Sequence, residues 1–345
     1  MTSDLRHSIL TAIAADGSNV AARLAAQYGV SRQSGSAWLA KLKHAGLVAS
    51  SGVGRGVRYR LVTLVLARQA YPRAGLQEDR VWRELILPRL GDLPGNARDI
   101  WQYAVTEMVN NAIDHSGSRR VTVDIQRDAL NTTVYIADEG EGIFLKIQRA
   151  LNLYDPREAI LELAKGKLTT APEQHTGEGI FFTSRALDFF EIESHHLRFS
   201  HAPRADNAIA EQAADTPGTR VCMRLANDSP RVMREVFDAY TDPEEYTFDK
   251  TVVPLRLAQY EGEKLVSRSQ AKRVAHRFER FKRVELDFAG VSDIGQAFAD
   301  ELFRVFVAAH PTIRITPINT EPAVAQMIRR AVAAGAAKAG NGNHA

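Results

Sequence analysis

Two glycine groups, each joined to a predicted strand or helix, restrict the fold of this chain most. Alternating apolar residues predict strands over 121–125 and 133–136, which form a hairpin. The second strand runs directly into Asp138-Glu139-Gly140-Glu141-Gly142, and Thr176-Gly177-Glu178-Gly179 opens a helix further along the chain. A lone Gly-x-Gly carries little information, but two glycine groups in this order form a distinctive pattern.

The helix before the hairpin has one apolar and one polar face. It begins near Asp99, and the apolar stripe at helical spacing consists of Trp101, Ala104, Val105, Met108, Ala112 and Ile113. On the other face, Glu107, Asn111 and Asp114 lie one above another. A carboxylate and a carboxamide stacked in this way can hold a hydrated Mg²⁺ ion, although polar stacks on helices are more often solvated faces. The helix by itself leaves both interpretations open.

The order of these elements resembles that of a known domain. A helix with acidic and Asn positions, a hairpin, Asp-x-Gly-x-Gly, a long variable segment, Gly-x-Gly, a helix and a closing strand at Gly218-Thr219 follow one another. The same order is found in the GHKL-type ATP-binding domain shared by DNA gyrase, heat-shock chaperones, histidine kinases and mismatch-repair ATPases. The resemblance covers residues 78–228, and we place the domain at 66–230. It implies an α/β sandwich that binds ATP and Mg²⁺.

The resemblance also implies roles for individual residues. Asp138 matches the buried carboxylate that accepts a hydrogen bond from the adenine amine, and Gly140 and Gly142 let the backbone approach the base and ribose. In the second glycine group, backbone N–H groups and the positive end of the following helix stabilise phosphate oxygens. The residues implied for this second role are Thr176, Gly177 and Gly179.

Two residues of the preceding helix gain roles from the same resemblance. Asn111 matches the Mg²⁺-binding asparagine, and Glu107 matches the general base that activates water in the hydrolysing members. His115 is a further candidate for proton transfer, although a histidine at a helix end is more often structural. Residues 144–175 correspond to the ATP lid, and four cations there are candidates to reach the terminal phosphate: Arg149, Arg157, Lys165 and Lys167.

The first 70 residues are strongly basic. They contain nine Lys or Arg residues against Asp4 and Asp16, a net charge of +7, whereas the whole chain has a net charge of +3. The remainder of the chain is therefore mildly acidic. A basic module attached to an acidic body favours a nucleic-acid partner for the front of the chain.

The pattern within this basic segment predicts three short helices, a glycine-rich loop and a strand. Ser31 can cap the third helix, and the loop from Ser50 to Arg58 precedes a strand at 59–62. This order resembles a winged helix-turn-helix domain, which we place at 1–65. The resemblance implies that the third helix enters the major groove of DNA while the loop contacts phosphate or the minor groove. The implied DNA-binding residues are Arg32, Gln33, Ser34, Arg55 and Arg58.

Two features of this basic module leave alternatives open. Gly35 lies inside the third helix and lowers its stability by about 1 kcal/mol relative to Ala. The helix is therefore either short or packed closely on its neighbour. A winged helix can also serve dimerisation or protein contact, but the excess of positive charge favours DNA.

Strand and helix patterns alternate in the last third of the chain. They predict a small α/β domain at 250–335, followed by a flexible tail at 336–345. The run from Asp287 to Gly295 resembles the loop of STAS domains, the partner modules of anti-sigma-factor kinases. Ile294 stands where the phosphorylated STAS proteins carry a serine. The resemblance implies a surface for a protein partner or a homodimer, without the usual phosphate acceptor.

Composition excludes several other kinds of protein. Cys222 is the single cysteine, so an internal disulfide and a thiolate metal cluster are excluded. No apolar run approaches the length of a membrane span, and residues 1–9 lack the pattern of a signal peptide. We therefore expect a cytoplasmic protein without membrane contact.

These parts together predict a multidomain α+β protein. It combines an N-terminal winged helix-turn-helix, a central GHKL-type α/β sandwich and a C-terminal STAS-like α/β domain. The first hypothesis is a bacterial-type regulator in which Mg-ATP binding or hydrolysis controls DNA binding. The alternative is an anti-sigma-like protein Ser/Thr kinase, in which Glu107 deprotonates a hydroxyl of a partner protein. A third possibility is slow ATP hydrolysis that drives opening of a dimer.

Overall fold

The computed structural model describes the backbone of residues 2–168, 177–202, 205–242, 247–259 and 263–341. Side chains are described for these ranges except at Arg55, 205–207 and 336–341. No helix in this part of the chain has the length and apolar content that crossing a membrane requires.

The N-terminal module contains the three predicted helices and a two-stranded antiparallel hairpin, of which the sequence predicted only the second strand. Its elements are α1 (Ser3–Ala15), α2 (Val20–Tyr28), α3 (Arg32–His44), β1 (Val48–Ser51) and β2 (Arg58–Leu61). The Ser31 side chain accepts a hydrogen bond from the Ser34 N–H at 3.1 Å, so the predicted cap of α3 is confirmed. A Cβ on Gly35 would lie 2.7 Å from the Ala21 carbonyl oxygen. The glycine therefore permits the predicted close packing of α3 on α2.

The central domain is built on a five-stranded antiparallel sheet of order β3-β4-β5-β7-β6. Its strands are β3 (Val65–Pro72), β4 (Arg120–Arg127), β5 (Asn131–Asp138), β6 (Phe189–Ala202) and β7 (Ala205–Ala226). Buried and partly exposed residues alternate along β4 and β5, so one face of these strands packs on helices. The helices of this domain are α4 (Glu78–Val81), α5 (Leu87–Leu90), α6 (Gly95–His115), α7 (Ile143–Leu151), α8 (Pro156–Lys165), α9 (Gly179–Ala186) and α10 (Met233–Asp238).

Strand β3 lies at the start of the central domain, where the sequence analysis predicts no strand. It pairs with β4 from Val65 to Pro72 and forms one edge of the sheet. Most of its residues are exposed, and Leu66 retains 70% of its accessible surface. Because an edge strand buries little apolar surface, its sequence lacks the clear alternation that identified β4 and β5. The sequence pattern therefore misses these eight residues as a strand.

The C-terminal domain is a small α/β unit with a three-stranded parallel sheet of order β10-β9-β8. Its elements are β8 (Lys250–Pro254), α11 (Arg268–Ala275), β9 (Arg283–Asp287), α12 (Gln296–Asp300), α13 (Val307–Ala309), β10 (Arg314–Ile318) and α14 (Pro322–Asn341). The predicted alternation of strands and helices is confirmed. Helix α14 continues to Asn341 and so enters the segment that was predicted to be a flexible tail, while residues 342–345 lie outside the described residues.

One continuous apolar core extends from the central sheet into the C-terminal domain. Phe181 and Phe182 on α9 contact Phe248, which precedes β8, with ring centroids 4.7 and 4.9 Å apart. Phe248 in turn contacts Phe281, at 5.6 Å. The N-terminal module has a separate core, to which Leu130 at the β4–β5 turn also contributes. The two flanking units are therefore attached to the central domain in different ways.

Candidate functional site

The central domain contains a cavity of about 320 Å³ between the sheet and helices α6, α7 and α9. Six residues predicted for the nucleotide site line it: Glu107, Asn111, Asp138, Gly142, Gly177 and Gly179. Three elements far apart in the sequence thus converge on one space. Gly140 is not among the lining residues, and Thr176 lies outside the described residues.

Asp138 lies at the end of β5 and forms part of the cavity wall. Its side chain is buried, and Oδ1 accepts a hydrogen bond from the Gly140 N–H at 2.9 Å. The pKa of Asp138 is raised from its ordinary value, because the effect of burial exceeds the opposing effects of hydrogen bonds from the Gly140 and Thr219 backbones and of the nearby Lys146 charge. The result is a buried acceptor group at a fixed position, which suits recognition of an exocyclic amine.

The two glycines after Asp138 are required by close packing. A Cβ on Gly140 would overlap the Ser116 carbonyl oxygen at the end of α6, and one on Gly142 would lie 2.5 Å from the Ser194 hydroxyl. Gly142 also has a φ of 89°, which favours glycine. Gly140 therefore joins the loop to α6, whereas Gly142 both lines the cavity and contacts β6.

The second glycine group lines the cavity beside Glu107, more than two helical turns along α6 from Ser116, which contacts Gly140. Gly177 has a φ of 74°, and its carbonyl oxygen accepts a hydrogen bond from the Leu168 N–H at 3.0 Å. Gly179 is the first residue of α9, and a Cβ there would overlap the Glu107 carboxylate. The Glu107 carboxylate therefore lies beside the N-terminus of α9, where an anionic ligand would be stabilised by backbone N–H groups.

Glu107 and Asn111 project from successive turns of α6 into the cavity. Burial raises the pKa of Tyr103, and the nearby charges of Glu107 and Glu178 raise it further. Among the described residues, no group of three or more His, Cys, Asp and Glu side chains could hold a metal ion. A Mg²⁺ ion at Asn111 would therefore need further ligands from phosphate oxygens and water, as Mg²⁺ bound with a nucleotide usually has.

Lys146 is a cavity residue that the sequence analysis missed. It lies on α7, its Nζ donates to the His115 carbonyl oxygen at 2.6 Å, and its charge acts on Asp138. Burial lowers its pKa, and Asp138 raises it. The spacing offered a signal, because Lys146 follows Gly142 by one helical turn and so lies over the glycine loop.

The four lid cations that were candidates to contact the terminal phosphate contact other groups of the protein in the structure. Helix α8, within the predicted lid, is buried from Glu158 to Lys165. The partners are Glu141 for Arg149, Asp155 for Arg157, Glu162 for Lys165 and the Arg280 carbonyl oxygen for Lys167. None of these four side chains is among the residues that line the described cavity. Residues 169–176 of the predicted lid lie outside the described residues.

The residues predicted to bind DNA lie on two adjacent elements of the N-terminal module. Arg32 and Gln33 are exposed on α3, and Arg58 is exposed on β2. The Ser34 hydroxyl lies 3.0 Å from the Ser31 hydroxyl, so it is part of the helix cap. The Arg55 side chain lies outside the described residues. Further exposed cations on these two elements are Lys41, Lys43 and Arg60.

Comparison with known families agrees with two of the three predicted domains. Residues 62–198 match the model of the histidine kinase-like ATPase domain. Residues 270–325 match the model of a STAS-like domain of unknown function. The search of curated proteins found no match. The chain thus combines a histidine kinase-like ATPase domain of the GHKL type with a STAS-like domain, and neither match includes the N-terminal module.

Proposed function

We propose that this protein is an ATP-binding regulator in which Mg-ATP in the central cavity controls DNA binding by the N-terminal module. The observation that carries the proposal is the convergence of Asp138, Asn111 and the Gly177–Gly179 loop on one cavity. A buried acceptor at one end and helix N–H groups at the other suit an adenine base joined to phosphates. A bound Mg²⁺ ion would neutralise phosphate charge beside Asn111.

The adenine assignment is tested by replacing the buried acceptor. We expect Asp138→Ala to weaken Mg-ATP binding at least tenfold, because the loss of a hydrogen bond to a charged acceptor costs about 1.5–3 kcal/mol. Isothermal titration of the wild type and the variant with Mg-ATP and Mg-GTP measures the effect. Asp124→Ala, on β4 and outside the cavity lining, is the matched control and should bind as the wild type does. Equal affinities in Asp138→Ala and the wild type would refute the adenine site.

Whether the terminal phosphate of ATP is released or transferred depends on the group that Glu107 deprotonates. Its position beside the start of α9 suits a general base acting on water, and it suits equally a base acting on a hydroxyl of another protein. Incubation with γ-labelled ATP separates these reactions, since phosphate release indicates an ATPase and label on a partner protein indicates a kinase. Glu107→Gln should lose turnover but keep ATP binding, whereas exposed Glu139→Gln should keep both.

DNA binding by the N-terminal module is supported by the exposed cations of α3 and β2. We expect Arg58→Ala and Arg60→Ala each to weaken DNA binding and to reduce the slope of log affinity against log salt by about one. Arg234→Ala, on α10 of the ATPase domain, is the control for a loss of positive charge elsewhere. An unchanged salt slope in both Arg58 and Arg60 variants would refute this DNA-binding surface.

A further inference from the structure

We propose that Arg277 of the STAS-like domain is a positioning residue for the nucleotide cavity of the ATPase domain. Its guanidinium holds the backbone turn at Gly166 and Lys167, which places Leu168 in the cavity wall. The STAS-like domain is then a part of the nucleotide site and not only a surface for partners. This inference rests on the proposed nucleotide function of the cavity.

The turn after α8 has a conformation that needs external support. Gly166 and Lys167 have φ values of 82° and 50°, so both lie in the left-handed region. A non-glycine residue there costs of the order of 1 kcal/mol and persists where its surroundings hold it. A Cβ on Gly166 would lie within 3 Å of the Phe181 and Phe248 rings, which leaves little space for another residue. The turn after α8 is therefore tightly enclosed by aromatic side chains at Gly166.

The turn leads directly to the cavity. Leu168 follows Lys167, lines the cavity, and donates its N–H to the Gly177 carbonyl oxygen at 3.0 Å. A Cβ on Gly177 would overlap the Leu168 backbone, so the two chain segments are in contact. Leu163, on the last turns of α8, also lines the cavity. Any displacement of the turn is thus transmitted to the glycine loop proposed to bind phosphate.

The STAS-like domain supplies the groups that hold this turn. One nitrogen of the Arg277 guanidinium, Nη2, donates to the Gly166 carbonyl oxygen at 3.2 Å and also to the Lys167 carbonyl oxygen. The other, Nη1, donates to Glu162 Oε2 on α8 at 2.9 Å. Arg280 Nη1 donates to the same Lys167 carbonyl oxygen at 3.0 Å. Arg277 therefore connects the end of α8, the turn and the STAS-like domain with a single buried side chain, which is only 4% exposed.

A second buried cation completes the junction. Lys165 is fully buried and donates to Glu162 Oε1 at 2.6 Å and to the His276 carbonyl oxygen at 2.9 Å. Burial raises the pKa of Glu162, but Lys165, His276 and Arg277 together lower it to about 2, so this carboxylate is ionised at neutral pH. Removal of one partner from such a group leaves a buried charge without compensation, which is strongly unfavourable. The junction therefore has one arrangement that satisfies all its charges.

The inference is tested with substitutions that separate charge balance from positioning. Arg277→Lys keeps the positive charge beside Glu162, but a single ammonium lacks the planar fork that reaches Glu162 and the two carbonyl oxygens at once. We expect this variant to bind Mg-ATP at least fivefold more weakly than the wild type, with unchanged affinity for adenosine, because the turn contacts the phosphate end of the cavity. Arg283→Lys is the matched control, since Arg283 pairs with Asp249 at 2.9 Å in the same domain and does not line the cavity. It should bind both ligands as the wild type does.

A second variant guards against a folding defect in Arg277→Lys. Arg280→Ala removes the other donor to the Lys167 carbonyl oxygen from a more exposed side of the turn, and should weaken Mg-ATP binding in the same direction by a smaller factor. Wild-type Mg-ATP affinity in both the Arg277 and Arg280 variants would overturn the positioning role and leave the proposed function standing. An equal loss of adenosine and Mg-ATP binding would also overturn it, since that indicates general disruption. Absence of Mg-ATP binding by the wild type would overturn the proposed function and this inference together.

Discussion

The two ends of this chain are joined to the central ATPase domain by contacts of different kinds. The N-terminal module has its own apolar core, which reaches the central domain at Leu130. Across this junction His7 Nδ1 lies 3.1 Å from Asp228 Oδ2, and 50% and 64% of the two side chains are exposed. The STAS-like domain instead continues the core of the ATPase domain and adds the buried charges of Glu162, Lys165 and Arg277.

This difference suggests that the N-terminal module folds as a separate unit, whereas the STAS-like domain folds together with the ATPase domain. Units that share an extensive apolar core unfold together, whereas a unit with its own core and few contacts to its neighbour can unfold or reorient alone. The proposed regulator needs both properties, because a DNA-binding module has to respond to the nucleotide site while that site keeps its shape. We therefore expect the ATPase and STAS-like domains to form one cooperative unit and the N-terminal module to form another.

The largest expected effect comes from the shared aromatic core. We expect Phe248→Ala to lower the free energy of unfolding by about 3–5 kcal/mol, because it leaves a cavity between the Phe181, Phe182 and Phe281 rings. Calorimetry should show a single transition for both domains shifted to lower temperature. Leu24→Ala, in the core of the N-terminal module, should instead shift a separate transition. If Phe248→Ala splits the main transition into two, the shared core is not cooperative.

A smaller effect is expected from acid, through Glu162. The folded-state pKa of this carboxyl group is about 2, below its ordinary value of 4.5, so its ionised form stabilises the folded state. This stability is fully present above about pH 5 and is lost as the pH falls towards 2, by of the order of 3 kcal/mol. Urea titrations of the protein at several pH values measure how the free energy of unfolding of the ATPase and STAS-like unit changes with pH.

The corresponding variant identifies the group responsible. Glu162→Gln should be less stable than the wild type at pH 7 and should lose most of this pH dependence. Glu285→Gln is the control, because Glu285 pairs with Lys250 at 3.0 Å in a more exposed position of the STAS-like domain. A pH slope in Glu162→Gln equal to that of the wild type would show that other carboxylates control the acid stability.

The residues that sequence analysis could identify are those whose role depends on local pattern. The hairpin and the two glycine groups carried the resemblance that implied one site for Asp138, Gly177 and Gly179, and the three residues line one cavity in the structure. Strand β3 was missed because an exposed edge strand carries little apolar pattern. The predicted lid lacked a local signal for burial, since α8 is buried by the STAS-like domain.

The contacts between domains were beyond prediction from local pattern. Arg277 follows Glu162 and Gly166 by more than one hundred residues, and only the folded arrangement of the two domains brings them together. Lys146 could be predicted only in part. Its neighbours in the sequence line the cavity, but the direction of its side chain depends on the placement of α7 in the fold. Residues that position a site through another domain therefore need the structure to be identified.

The smallest expected effect lies at the other junction. We expect His7→Ala to change the free energy of unfolding of either unit by less than about 1 kcal/mol, because an exposed contact between two polar side chains contributes little free energy in water. A double-mutant cycle with Asp228→Ala measures the coupling between the two side chains directly. The same variants should leave Mg-ATP affinity unchanged, since neither residue lines the cavity. A coupling of several kcal/mol, or a change in Mg-ATP affinity, would show that the N-terminal module is attached as firmly as the STAS-like domain, and the contrast between the two ends of the chain would not hold.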